Sequence, residues 1–215
     1  MRLLLFVLAL GLAVPGRAEP ALLSPATEIS DPAANPAWRD LLARLAPRQG
    51  RESRFEERRY FPFRRKPIVL TGEIRLTPER GLSLQYLTPR TRVLIADDRG
   101  LLMRDSAGND VPAPANGGSQ LAVAALVDLL RFDLPALQRK FTLHGQRTGE
   151  DWTLAFVPRD RALADNLEAI IVRGTGGTLA EIELRNSPEQ RIDIFVRDTR
   201  QPVSFTREQV ARYFR

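Results

Sequence analysis

The sequence predicts a mainly β, α+β fold: one curved antiparallel sheet of about ten strands, with helices covering its apolar face. Period-two alternation recurs along the chain, most clearly where Ile68, Leu70, Gly72, Ile74 and Leu76 interleave with Thr71, Glu73 and Arg75. Turn signals of the Pro-Glu-Arg-Gly and Asp-Asp-Arg-Gly kind separate the strands at hairpin spacing, as at Pro78–Gly81 and Asp97–Gly100. A nearly all-apolar helix, Gln120 to Arg131, interrupts the strands at mid-chain and needs cover on more than one side.

The elements follow in order. Leu3 to Val14 is a run of about 12 apolar residues after Arg2, broken by Pro15, with small residues at Gly16 and Ala18. This reads as a secretory signal peptide, residues 1–18, because a mature membrane helix needs roughly 20 apolar residues. Residues 19–35, rich in Pro, Ala and Ser, read as a flexible leader, and 36–215 as a single domain. Asn35 can cap a helix from Pro36, with Trp38, Leu41, Leu42 and Leu45 on one stripe.

Strands are expected at 55–61, 68–76, 82–86, 93–96 and 101–104. After the mid-chain helix and a short one at 134–139, more follow at 141–145, 152–157, 167–173, 179–184 and 191–196. Thr206 and Gln209 form a capping-box pair for a short last helix. With 43% apolar residues, 215 residues suffice for a real core.

Composition excludes several classes. There is no cysteine, hence no disulfide, thiol nucleophile or cysteine zinc site, and His144 is the single histidine. No metal site or cofactor is expected. The chain also lacks a G-x-S-x-G elbow, an H-E-x-x-H pair and a P-loop, so it is not read as an enzyme. Gly174-Thr175-Gly176-Gly177 sits between strands, where a hairpin explains it, and Asp97-Asp98 reads as a solvated turn. Removing Arg2 and Arg17 with the signal lowers the net charge from +6 to (32 − 2) − 26 = +4, and acids interleave with the arginines. A nucleic-acid stripe is not supported.

The order of motifs resembles the LolA family of periplasmic lipoprotein carriers. The residues that carry this are the Leu-x-x-Leu helix, Phe55-Glu56-Glu57, Leu70-Thr71-Gly72-Glu73-Ile74-Arg75-Leu76, the Leu82-x-Leu84-x-Tyr86 strand and Pro89, then Phe141, Trp152 to Pro158, Ile170 to Gly174 and Glu181 to Leu184. The resemblance spans roughly 36 to 200. It implies a half-open antiparallel β-barrel of about ten to eleven strands with helices closing its concave apolar face. It also implies a monomeric periplasmic carrier of a Gram-negative cell, shielding acyl chains between an inner-membrane exporter and an outer-membrane acceptor. Two alternatives stay open: a carrier of a glycolipid or aryl polyene lipid for a dedicated exporter, or a non-transport protein-binding adaptor with a solid core.

The candidate lining of a lipid cavity is Phe55, Ile74, Leu76, Leu82 and Leu84 from the first half of the sheet. Leu121, Leu126, Leu129 and Leu130 come from the mid-chain helix, and Phe141, Leu154, Phe156, Ile170 and Leu184 from the second half. An ordinary filled core would carry the same residues. The family's lid arginine follows the G-x-L strand inside an Arg-Pro pair. Here Thr77-Pro78-Glu79-Arg80-Gly81 stands instead, with Arg80 as the shifted candidate latch. Arg58, Arg59, Arg64 and Arg65, with Lys66, are candidates for docking a partner or anionic headgroups.

Overall fold

The computed structural model describes residues 27–32, 34–111 and 125–215; the expected signal peptide, most of the leader and the start of the mid-chain helix, Leu121 included, lie outside them. Among the described residues, strands β1 to β7 are Thr27–Glu28, Arg51–Tyr60, Ile68–Thr77, Gly81–Thr88, Arg92–Asp97, Gly100–Arg104 and Asp110–Val111. Strands β8 to β12 are Phe141–Thr148, Asp151–Pro158, Ala169–Thr175, Thr178–Arg185 and Arg191–Arg200. The helices are α1 (Pro36–Leu45), α2 (125–131), α3 (Leu134–Lys140), α4 (Arg161–Ala164) and α5 (Arg207–Tyr213).

All twelve strands form one antiparallel sheet in the order β1-β8-β9-β10-β11-β12-β2-β3-β4-β5-β6-β7. The two meanders, β2 to β7 and β8 to β12, join where the last strand pairs the second, Phe55 opposite Val196. The terminal strands β1 and β7 do not pair, so the barrel is not closed. Ten of the strands match the alternation in the sequence. The two-residue strands at the edges and the single-turn α4 carry no periodic signal, and β2 starts at Arg51 because backbone pairing with β3 extends through its polar residues to Leu76.

The concave face holds the main core. Leu70, Ile74 and Leu76 pack there with Trp38, Leu41, Leu42 and Leu45 of α1, Leu126, Leu129 and Leu130 of α2, and Leu137 of α3. Asn35 caps α1 by accepting from the Ala37 N–H, and Asp133 caps α3 by accepting from Ala136. Two glycines allow close approach. A Cβ on Gly72 would lie 2.1 Å from the Gln85 carbonyl oxygen and 2.6 Å from the Phe55 ring. One on Gly145 would lie 2.5 Å from the Trp38 indole, so the absent side chain is what seats α1 against β8.

The opposite face of β3 was expected to be wet, and at Arg75 it is not: this residue is 4% exposed. Helix α5 lies over it. The Arg75 guanidinium sits 3.8 Å from the centroid of the Tyr213 ring, pairs with Glu52 at 2.9 Å and also pairs with Glu73. Val93, Ile95 and Phe214 are buried but stand outside the concave cluster, giving the convex side an apolar layer of its own.

Candidate functional site

A cavity of about 380 Å³ opens at one end of the curved sheet, where β2 and β11 begin and β3 and β12 end. Ile74, Leu76, Leu130, Phe132, Leu179 and Val196 give it apolar walls. Its rim is polar. The Ser53 and Thr199 hydroxyls share a hydrogen bond of 2.8 Å, and Arg51 Nε donates to Gln201 Oε1 at 2.8 Å.

Sequence and fold make this end irregular for local reasons. The β12 ladder slips between Arg197 and Arg200, and Asp198 within that bulge has φ +52°. Phe132, at the corner between α2 and α3, has φ +49°, a conformation costing roughly 1–2 kcal/mol for a residue with a side chain. These are the two non-glycine residues of positive φ among the described residues, and both line the cavity. Such strain persists only where the surroundings over-determine it, and Phe132 is buried with its N–H donating to Leu129 O at 2.9 Å.

Arg51 is the polar residue with most to offer a ligand. Burial pushes its pKa below the ordinary arginine value, and among the described residues it makes no ion pair. Of its five N–H groups, one donates to Gln201 and one to Leu45 O at 3.4 Å, leaving three. Arg197 lines the same rim, while Asp198, the acid there, is engaged by Arg54 at 3.4 Å. Among the described residues, the rim therefore carries two arginines without acid partners.

The other end of the concave face is closed by charge. Tyr86 Oη donates to Glu57 Oε2 at 2.9 Å, Arg59 pairs with Glu57, and the Arg92 guanidinium lies 4.9 Å from the centroid of the Tyr86 ring. Burial, then the charge of Glu57, pushes the Tyr86 phenol far up, so it remains a neutral donor.

Of the fourteen expected lining residues, Ile74, Leu76 and Leu130 line the cavity. Phe55, Leu82, Leu84, Leu126, Leu129, Phe141, Leu154, Phe156, Ile170 and Leu184 share the same buried cluster but lie away from the cavity wall. They interlock: Phe55 meets Tyr86, and Phe141 meets Phe156, edge to face at 5.4 and 6.2 Å. Leu121 lies outside the described residues. The trough is thus packed along its middle and hollow at one end.

Arg80 is exposed in the turn between β3 and β4, with its N–H donating to Thr77 Oγ1 at 3.0 Å. The arginine that spans from lid helix to sheet comes from the other side: Arg131 of α2 reaches Asp98 at 3.2 Å. Asp128 of the same helix pairs with Lys140 at 2.6 Å. Arg58 pairs with Glu56, whereas Arg64 and Arg65 stand exposed beyond β2. The sequence offered a weak signal for Leu179 and Val196, through strand alternation, and none that would single out Arg51, Phe132 or Gln201.

Asp97, set aside as a turn residue, is held by Arg215, whose Nε and Nη2 donate to its two carboxylate oxygens at 2.7 Å each. Those hydrogen bonds, with the Arg99 N–H, bring its pKa down to about 2. No helix of the described residues is long and apolar enough to cross a membrane.

A family model described as outer membrane lipoprotein carrier protein LolA-like matches residues 32–195. Among solved structures, a LolA superfamily protein of Nitrosomonas europaea aligns at a TM-score of 0.43 and 7% identity, over 80% of this chain and 96% of that one. MucB in complex with MucA(peri) aligns at 0.43 and 17%, over 81% of this chain and 58% of that one. A putative outer membrane lipoprotein-sorting protein domain from Vibrio parahaemolyticus aligns at 0.39 and 8%, over 79% and 92%. No curated protein matches the chain. The family model covers well over half of the sequence, and the chain belongs to the LolA-like outer membrane lipoprotein carrier family.

Proposed function

We propose that this protein is a periplasmic carrier, exported by residues 1–18, that shields an acyl chain of a lipoprotein or related lipid between the inner and outer membranes. The observation that carries this reading is the end cavity, with apolar walls, an open mouth and a basic rim. At 380 Å³ it sits at the lower end of the range for ligand pockets, about 300–1,000 Å³, so as it stands it suits one chain or part of one. A chain of about sixteen carbons gains on the order of 13 kcal/mol by leaving water, at roughly 0.8 kcal/mol per methylene.

A larger cargo needs α2 to move, and the polar contacts that hold α2 are weak. Its pair to Asp98 ends on a side chain 94% exposed, and exposed pairs contribute about 0–1 kcal/mol each. What α2 loses on lifting is the burial of Leu126, Leu129 and Leu130. An entering acyl chain replaces that burial with its own, so loading and release exchange like for like, which keeps transfer reversible.

The packed middle of the trough favours the adaptor with a solid core as the second reading. Organic extracts of gently purified protein separate the two by mass spectrometry. The carrier holds acyl lipids, and Leu130→Asp, which puts a charge on the cavity wall, removes them while circular dichroism of the sheet is unchanged. Extracts free of lipid under several purification conditions would refute the carrier.

A further inference from the structure

The connection between β2 and β3 carries a feature that neither the cavity nor its lid uses. From Arg58 to Gly72 the chain holds five cations, Arg58, Arg59, Arg64, Arg65 and Lys66, and no acid. Arg64, Arg65 and Lys66 are exposed and make no ion pair among the described residues. Between them and β2, Phe61 and Phe63 stack at 5.4 Å, and the Arg64 N–H closes a turn onto Phe61 O at 3.0 Å. Phe63 is 82% exposed. The other large exposed hydrophobic residues, Val69 at 47% and Leu87 at 44%, lie at the same end of the sheet. Leu87 precedes Thr88, whose hydroxyl meets that of Thr71 at 2.8 Å.

We propose that this tip is a peripheral membrane contact, Phe63 entering the interface of an anionic bilayer while Arg64, Arg65 and Lys66 meet its lipid headgroups. Water-exposed phenylalanine beside unpaired cations matches the two requirements of an interfacial anchor, apolar insertion and attraction to anionic lipid. A bilayer interface accepts the exposed Phe63 and the cations together without a shaped site, whereas a protein partner would have to supply a pocket matched to Phe63.

The contact has a directional consequence. The tip follows Tyr60, at one end of β2, and the cavity mouth lies at Arg51 and Ser53, at the other. Ten strand residues at about 3.3 Å each separate them by roughly 30 Å. A molecule seated on the bilayer by Phe63 turns its mouth away from that bilayer, so the tip retains the protein at the membrane and takes no part in loading the cavity.

Co-sedimentation of the full chain with vesicles tests this independently of cargo binding. The chain should sediment with vesicles of phosphatidylglycerol mixed with phosphatidylcholine, much less with phosphatidylcholine alone, and should be released as salt shortens the Debye length. Phe63→Ser should lower the partition coefficient about tenfold. Arg64→Gln, Arg65→Gln and Lys66→Gln together should lower it about a hundredfold, at roughly fivefold per cation. All of these side chains are exposed, so thermal unfolding and acyl-probe binding should not change. Absence of binding to anionic vesicles, or equal binding by the wild type and the triple variant, overturns the proposal and leaves an acidic protein partner as the tip's occupant. Neither result bears on the cavity.

Discussion

If the cavity takes acyl cargo as proposed, its basic rim should make it selective in a measurable way. Arg51 has three N–H groups unspent, is partly withdrawn from water and has no carboxylate beside it among the described residues. An amphiphile whose tail fills the cavity brings its head to that rim, and an anionic head takes up those donors. A hydrogen bond involving a charged group contributes about 1.5–3 kcal/mol, or about 10- to 150-fold in affinity at 1.4 kcal/mol per decade. The assay is fluorescence titration with cis-parinaric acid and with its methyl ester, which share a tail and differ in charge. The wild type should prefer the acid by that factor, and Arg51→Gln should remove the preference while leaving ester affinity in place. Because Arg51 also ties the start of β2 to Leu45 and Gln201, Gln201→Glu supplies a second variant. It sets a carboxylate 2.8 Å from Arg51 Nε and satisfies the guanidinium internally, so it too should abolish the preference without weakening the fold. Equal affinity of wild type for acid and ester would refute the role of the rim and leave the carrier standing; binding of neither would refute the carrier.

Two further outcomes follow from the packing and the charges. Gly72→Ala places a methyl 2.1 Å from a backbone oxygen that cannot swing away, so it should destabilise by about 1–3 kcal/mol or more, read as a lower midpoint in urea with an unchanged slope. Asp97 titrates at about 2 when folded against an ordinary 3.8, so the native state binds that proton less readily than the unfolded chain. Its contribution is therefore complete above about pH 4 and is lost as pH falls toward 2, and Asp97→Asn should flatten that part of the stability profile.

The fold was largely legible because a sheet with one buried face writes its register into alternation. Ile68 to Leu76, Leu82 to Tyr86 and Trp152 to Phe156 each declared a strand and its inward side, and Thr206 with Gln209 declared the start of α5. What alternation cannot carry is the cover on the other face. Arg75 reads as solvent-facing in the sequence and is buried because a helix more than a hundred residues later lays Tyr213 across it. The cavity was less legible still. Leu129, Leu154 and Ile170 are packed solid while Leu76, Leu130 and Val196 face open space. The hollow end is the one that holds the bulge at Asp198 and the corner at Phe132; Asp tolerates a positive φ but does not announce one, and Phe gives no sign of it. Arg51 was hidden among arginines of similar appearance, and its partial burial and its place at the cavity mouth set it apart only in the folded chain.

The two covers of the sheet are held in unlike ways, and on the proposed carrier reading α2 is the one expected to open. On the convex side Arg104 donates through one Nη1 to the carbonyl oxygens of Ala211, Arg212 and Phe214 at 2.7, 3.1 and 3.0 Å, closing the end of α5 onto β6. Arg215 grips Asp97 with two bonds and adds a third to Gly100 O at 2.7 Å, and Arg75 stacks on Tyr213. These contacts are directional, and among them the buried Arg75 guanidinium would be left without its aromatic partner on losing Tyr213. On the concave side α2 rests on leucine burial and on ion pairs to Asp98 and Lys140. Leucine burial is not directional, and an acyl chain can replace it. Moving α5 would break several directional contacts at once, whereas lifting α2 costs leucine burial, which an acyl chain can return, and two ion pairs with a solvent-accessible partner.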